Sequence, residues 1–330
     1  MRILITGITG MVGSHLAEYI LENHPSVEVH GLIRWRSPLD NIRDIMSRII
    51  LHYAELRDLN STVLMLQDVK PEWIFHLAAQ SYVTTSFNAP ADTIHTNVIG
   101  TTNLLDAIRI TGLDPKIHIC SSSEVYGQVT EDEIPIRETN PFRPASPYAV
   151  SKIGEDMIAF QYFLSYGIKT IRTRMFTHTG PRRGDVFAES AFAKQIAEIE
   201  VGMRKNPLKV GNLNSIRTFA DVRDAVKAYW VLMEKCPPGE VYNIGGSETM
   251  TIEKMLEILK EMTQCPIEHE VTATLLRPSD VTLQIPDTSK FQNVTGWRPT
   301  IPIQKTLNDL LDYHRKRIRE IKERCYDDHI

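Results

Sequence analysis

Cysteine is scarce in this chain of 330 residues, and its four copies, Cys120, Cys236, Cys265 and Cys325, fall into no C-x-x-C spacing. That pattern argues against a metal centre and predicts reduced thiols; with no apolar leader, the chain is expected in the cytoplasm rather than secreted. No uninterrupted run of about 18 apolar residues appears, so no spanning helix is expected. Neither charge sign dominates: 37 Lys and Arg face 41 Asp and Glu, a formal charge of −4. No overall basic field therefore invites nucleic acid. Repeats, low-complexity tracts and long flexible linkers are missing too. What remains is an ordinary globular composition, 42% hydrophobic and 24% charged, enough for one large or two modest domains.

The chain opens with an apolar strand pattern at Arg2 to Thr6. Gly7-Ile8-Thr9-Gly10-Met11-Val12-Gly13 follows, then a helix-like stretch from Ser14 to Asn23. Glycines so spaced let the backbone approach a pyrophosphate and aim helix N-terminal N–H groups at it. Strand and helix go on alternating for over a hundred residues, which predicts a doubly wound parallel sheet. A second strand, Val27 to Ile33, ends where the adenosine ribose of a dinucleotide would sit. An NAD site carries Asp or Glu there; this chain has Arg34-Trp35-Arg36-Ser37, which suits the 2′-phosphate of NADP over NAD. Further on, the pattern predicts helices near Asn41 to Ser47, Leu59 to Gln67 and Ala91 to Thr111, the last with Asn97 inside it. Strands are expected at Ile50 to His52 and Trp73 to Leu77. The latter runs into Ala78-Ala79-Gln80-Ser81, small residues that let a cofactor lie close to the backbone.

Two clusters carry the chemistry. Ile117 to Cys120 reads as a strand delivering Ser121-Ser122-Ser123-Glu124 at its carboxyl end, where open parallel sheets bind ligands. Extended geometry through this tetrad would project Ser122 and Glu124 from one face. An acid- and proline-rich loop, Thr130 to Pro147, then leads to a helix over 147–165 with Ser146 as cap and Pro147 at its first position. On that helix Tyr148 and Lys152 are one turn apart. A phenol with a pKa of roughly 10 must fall about three units, or about 4 kcal/mol, to act as a base near neutrality, and the lysine cation, aided by a charged cofactor, is the expected source.

After residue 175 the pattern changes. Residues 1–175 are expected to form the cofactor domain, and 176–330 mainly a smaller α/β lobe for substrate, with segments returning to the first. Met175 to Gly184 reads as irregular, helices are expected at Ser190 to Met203, Val222 to Glu234, Ile252 to Thr263 and Leu307 to Arg324, and strands at Leu208 to Gly211 and Glu240 to Ile244. Arg182, Arg183, Lys194, Arg217 and Arg277 are scattered through this half, and arginine forks match phosphate oxygens.

These motifs, together with Val125-Tyr126-Gly127 and Pro181-Arg182-Arg183-Gly184, resemble an extended short-chain dehydrogenase/reductase of the nucleotide-sugar branch, almost end to end. His30 to Ser37, Pro181 to Gly184 and Arg277-Pro278-Ser279-Asp280 narrow the resemblance to the GDP-mannose 4,6-dehydratases and the related GDP-4-keto-6-deoxymannose reductases. The dehydratase resemblance implies a Rossmann-like fold and NADP held by Gly7, Thr9, Gly10, Met11, Val12, Gly13, Arg34, Arg36, Glu55, Leu56, Leu77, Ala78, Ala79, Gln80, Tyr148 and Lys152. It makes Ser122, Glu124, Tyr148 and Lys152 catalytic, and Ser81, Thr177, Arg183, Lys194, Arg217 and Arg277 substrate contacts. The substrate would be GDP-linked, and the assembly a homodimer pairing the Asn97 and Tyr148 helices or a homotetramer formed through the loop of Arg34 to Ser37. In a dehydratase Glu124 handles the C5 proton and the C6 hydroxyl; in a reductase it is a bystander. Departures from the family pattern are Ser122 for Thr, Thr177 for Asn, Glu55 for Asp, Thr218 after Arg217 for Asp, and Met11-Val12 for Gln-Asp. They leave a dehydratase or epimerase for another nucleotide sugar open.

Overall fold

The computed structural model describes residues 1–327, with side chains through Glu323. Its first half alternates strand and helix. β1 (Arg2–Thr6) leads to α1 (Met11–Asn23), β2 (Glu28–Ile33) to a 3-10 segment at Asp40–Arg48, and β3 (Ile50–Tyr53) to α2 (Leu59–Val69). β4 (Trp73–His76) is followed by α3 (Val83–Asn88), then by an unbroken helical run of α4 (Pro90–Ile94), a π-turn at His95–Ile99 and α5 (Gly100–Thr111). β5 (Lys116–Ser122), α6 (Pro147–Tyr166) and β6 (Thr170–Met175) complete this half.

Seven strands form one sheet in the order β10-β6-β5-β4-β1-β2-β3, where β10 is Val241–Ile244. Every pairing in it is parallel. Such a sheet must be covered on both faces, hence the nearly continuous apolar runs. On one face Leu16, Ile20, Tyr229, Trp230 and Leu232 pack with Ile3, Ile5 and Phe75. On the other, Leu66, Leu104, Leu105 and Ile108 pack with Leu4, Ile74 and Ile117. The strand order reverses at β1, which has β2 on one side and β4 on the other, so a crevice opens above its carboxyl end.

The second half supplies β7 (His178–Thr179), α7 (Ala188–Glu200), β8 (Leu208–Val210), β9 (Ile216–Asp221) and α8 (Val222–Lys235), followed after β10 by β11 (Glu248–Thr251) and α9 (Ile252–Glu261). β12 (His269–Val271), β13 (Leu283–Gln284), α10 (Ser289–Thr295) and α11 (Ile303–Asp327) end the chain. Strands β11, β9 and β13 form a small mixed sheet with β7 at its end, and β12 pairs with β8. A separate core of Phe192, Ile196, Leu208, Leu256, Leu259, Leu307 and Leu311 underlies it. Residues of this half return to the large sheet: β10 pairs with β6, and α8 packs on α1.

Two local expectations change, and one strand appears that the pattern did not signal. The helix expected near Asn41 is 3-10, its buried Ile42 and Ile45 lying three apart, the period of that helix. Helix α11 begins at Ile303, four residues earlier than its pattern suggests, because Ile303, Leu307, Leu310 and Leu311 are buried in the second core. Strand β9 has no counterpart among the expected elements: Arg217 and Thr218 break its apolar pattern, yet both are buried at the centre of the small sheet. No described helix is long and apolar enough to cross a membrane.

Candidate active site

The cleft takes shape at the end of β1. Gly7 has φ 73, and a Cβ there would lie 2.9 Å from Ala78 N; one on Gly13 would lie 2.3 Å from Gly7 O. Only hydrogen fits in either place, so the turn folds tightly onto the start of α1, which has no side-chain cap at Gly10. Such a helix end leaves N–H groups for an anion. Thr6 Oγ1 accepts from the backbone of Leu77 and Ala78, both at 3.1 Å, and also meets His76 Nδ1 at 2.9 Å. His76 continues through Nε2 to Thr101 Oγ1 at 2.9 Å. Burial, then the charge of Lys152, pushes His76 down to about 3, so this brace stays neutral.

One cleft of about 830 Å³ runs from the glycine turn to the small sheet, within the range of ligand pockets. Gly7, Thr9, Gly10, Met11, Val12, Gly13, Arg34, Glu55, Leu56, Leu77, Ala78, Ala79 and Gln80 line its first part. Arg36 does not line it: the turn after β2 closes with Arg34 N donating to Ser37 Oγ at 3.0 Å, and only the first arginine faces the cleft. Glu55 holds Arg57 through two 3.2 Å bonds. Burial pulls the Glu55 carboxyl up, but Arg57 outweighs it and the net direction is down. Asn41, which drew no notice in the sequence, donates to Thr9 O at 2.9 Å and lines the same region. A dinucleotide's adenosine and pyrophosphate fit these residues: the backbone is bare at Gly7 and Gly13, and the cation stands at the end of β2.

At the middle of the cleft stand Ser122, Glu124, Tyr148 and Lys152. Extended geometry does not persist through the serine tetrad as the alternation suggested. β5 stops at Ser122, and Ser123–Tyr126 turns as a 3-10 segment capped by Ser122 Oγ, which accepts from Glu124 N at 3.2 Å. Glu124 reaches the cleft by this turn rather than by strand alternation. Its Oε1 accepts from Gln284 Nε2 at 3.5 Å, while Gln284 Oε1 accepts from Ser123 Oγ at 3.2 Å. Gln284 is buried in two-residue β13, too short a strand to have signalled itself.

Helix α6 starts as its sequence dictates. Ser146 Oγ accepts from Ala149 N at 3.1 Å, Pro147 takes the first turn, and Gly167 at φ 70 ends the helix. Tyr148 and Lys152 thus face the cleft one turn apart. Asn97 is the link behind them: it accepts from Gln80 N at 2.7 Å and donates to Gln80 O at 3.0 Å and to Ser151 Oγ at 2.8 Å. The π-turn that contains it is a widening common at functional sites. Lys152 Nζ donates to Cys120 O and Glu155 Oε2, each at 2.7 Å. Burial raises the Tyr148 phenol above its ordinary value even though Lys152 and Ser122 pull it down. The lysine alone therefore does not make the resting phenol a phenolate.

The far wall comes from the second half. Thr177, Arg183, Arg217 and Arg277 line the cleft there, and Ser81, between β4 and α3 of the first half, lines it too. Lys194 does not; it pairs with Asp185 at 2.5 Å on the outside of α7. Arg183 lies 3.5 Å over the Phe187 ring and bonds Glu189 at 3.0 Å. Arg217 is buried, donates to Ile216 O at 3.1 Å and to Val281 O, and is drawn down by burial against the opposing charges of Glu124 and Asp280. Arg182 closes one end as a fork onto Glu18, at 2.9 and 2.6 Å.

A glycine turn at the end of β1 in a parallel sheet, with a serine at the end of β5 and a tyrosine and lysine one turn apart on α6, defines the class of the extended short-chain dehydrogenases/reductases. Within it, the family model described as GDP-mannose 4,6 dehydratase matches residues 4–310, and the chain belongs to that family. It is 31% identical to the GDP-mannose 4,6-dehydratase of Yersinia enterocolitica, over 94% of this chain and 92% of that protein. With the GDP-6-deoxy-D-mannose reductase of Pseudomonas aeruginosa it shares 32%, over 97% and 99%. The NADPH complex of RMD from the same organism superposes with a TM-score of 0.83 at 31% identity, covering 96% of this chain and 99% of that one.

Proposed function

We propose that this chain is an NADP-dependent GDP-mannose 4,6-dehydratase forming GDP-4-keto-6-deoxymannose. The observation that carries this reading is a carboxylate, Glu124, beside Ser122, Tyr148 and Lys152 in one cleft and held there by Gln284. Family membership and the relatives' names support it. Residues 1–175 would hold the cofactor and 176–330 mainly the nucleotide sugar, with Thr177, Arg183, Arg217 and Arg277 as contacts on that side and Ser81 as one from the first half. Arg34 favours NADP because its guanidinium can meet a 2′-phosphate where an acidic residue would repel it. NADP bound there would take hydride from C4 of the sugar and return it to C6.

Tyr148 removes the O4 proton as C4 becomes a ketone, with Ser122 donating to the developing carbonyl. That ketone acidifies the neighbouring C5–H. Glu124 takes the C5 proton and delivers it to the C6 hydroxyl, which departs as water; when hydride returns to C6, C5 regains a proton, matched by the one that Tyr148 took from O4. Proton transfers of this type need the carboxylate within hydrogen-bond reach of both carbons' substituents. Sugar and cofactor end with no net redox change, so NADP is needed only in catalytic amount.

The test is incubation of the protein with GDP-mannose and catalytic NADP, with product mass as readout. Loss of one water without NADPH accumulation is expected. Unchanged GDP-mannose refutes the reading, and NADPH-consuming turnover of the 4-keto sugar alone assigns the reductase instead.

We also propose a homodimer through α5 and α6. Val150, Met157 and Leu164 repeat every seven residues as an exposed apolar stripe on α6, and Ile99 and Ile110 are exposed on the helical run that ends in α5. Cys120, Cys236 and Cys265 are free, which suits a reducing cytoplasm. A monomeric mass in solution refutes the dimer.

A further inference from the structure

Directly behind the tyrosine and lysine lies a carboxylate that the mechanism above does not use. Glu155, three residues after Lys152 on α6, is 1% exposed and its Oε2 accepts from Lys152 Nζ at 2.7 Å. Its other oxygen, Oε1, is buried with no partner at all. The adjacent Asp156 is different: both its oxygens are used, by Arg172 Nη1 at 2.9 Å and Arg174 Nε at 2.8 Å. Asp156 thus answers to its own two guanidiniums, and among the described residues Lys152 is the single cation bonded to Glu155. A buried carboxylate with one oxygen idle is costly unless its charge has work to do.

An ammonium has three N–H bonds. Glu155 and the Cys120 carbonyl, both at 2.7 Å, take two of them, and Lys152 still lines the cleft, so one N–H remains for a ligand there. We propose that Glu155 is a positioning residue for the reaction: the resident counter-ion of Lys152, which fixes the direction of its free N–H and, as a negative charge behind the lysine, sets how strong a base Tyr148 is. The unit is then a three-group relay, Glu155 to Lys152 to Tyr148.

The other charged or titratable groups around the relay leave it in control. Asp156 is compensated by its arginines. His76 on β4 and His118 on β5 are both pushed down to about 3, by burial first and then by charge from Lys152 and, for His118, His76. Burial raises the Cys120 thiol and also the Tyr229 phenol on α8. All four are neutral near physiological pH. Burial also drives the Glu155 carboxyl upward, opposed by the Lys152 charge, and Glu155 in turn raises the phenol.

The inference rests on Tyr148 and Lys152 being the proton-transfer pair, and its test separates the two readings. In Glu155→Gln the neutral amide keeps the shape and loses the charge. With the anion gone, the phenol of Tyr148 meets an uncompensated cation and should ionise at lower pH, by about one unit. Tyrosinate absorbance of the cofactor-free protein, titrated as a difference against the same protein carrying Tyr148→Phe, reads this without turnover. The acidic limb of kcat should move down by the same amount, giving about fivefold more activity one unit below the wild-type limb and about ninefold two units below it. Lys152, having lost its partner, should add a basic limb at lower pH than wild type. If Glu155→Gln does not fold, Glu155→Asp, which withdraws the charge by one methylene, should shift the titration partway in the same direction. A Tyr148 titration unmoved in the folded variant overturns the proposal; a shifted titration with no turnover of GDP-mannose overturns only the substrate assignment.

Discussion

Replacing Asp156 with alanine asks whether the helix that presents Tyr148 and Lys152 is anchored by buried charge. The carboxylate is fully buried and joins α6 to β6 through Arg172 at 2.9 Å and Arg174 at 2.8 Å. Those guanidiniums are 5% and 4% exposed. Arg174 goes on to the Glu138 carbonyl at 2.8 Å and to Tyr126 Oη at 3.0 Å, which itself donates to Asn243 at 2.7 Å. Truncation would leave two cations in the interior without a counter-ion, a loss of about 3–5 kcal/mol. Over 330 residues, an unfolding entropy of about 2.1 cal/mol/K per residue sums to about 0.7 kcal/mol/K, so the melting midpoint should fall by about 4–7 °C. Asp156→Asn retains one acceptor and the shape, and should lose less. Calorimetry on the two variants and the parent provides the measurement. An alanine variant melting within about 1 °C of the parent would show that the cluster contributes no net stability, and would refute the reasoning.

Glu124→Gln should slow dehydration about 10²- to 10⁴-fold while C4 oxidation continues, so that NADPH absorbance builds up to one equivalent per site; equal loss of both steps would mean that Glu124 serves the fold rather than the proton. Arg34→Ala should weaken NADP about tenfold, the value of about 1.4 kcal/mol for an exposed charge-assisted contact, with NAD unaffected; Arg36→Ala, off the cleft, should change neither, as read by fluorescence titration. Lys194→Ala should leave kcat/KM within about twofold, because the lysine is already paired with Asp185 and exposed pairs are worth about 1 kcal/mol at most; a larger fall would place it in the substrate path.

Much of this molecule is legible in its one-dimensional pattern, where the cause is local. The parallel sheet follows from apolar strand runs alternating with helices, the turn at Gly7 to Gly13 from residues without Cβ atoms, and the start of α6 from Ser146 and Pro147. The spacing of Tyr148 and Lys152 needs only the pitch of a helix. What depends on segments far apart in sequence was settled by tertiary structure alone. Glu124 enters the cleft because β5 ends one residue before Ser123 and turns, and it is held there by Gln284, 160 residues away. Arg34 and Arg36 look alike in sequence, yet a two-residue difference in a closed turn gives the cleft to one of them; Lys194 reads as a phosphate contact until α7 is seen to aim it at Asp185. Even the lysine proved only half of its own story. Sequence supplied the cation one turn from the phenol, but the burial that raises the phenol, and the buried Glu155 that shares the cation, come from dielectric and neighbours that exist only once the chain has folded.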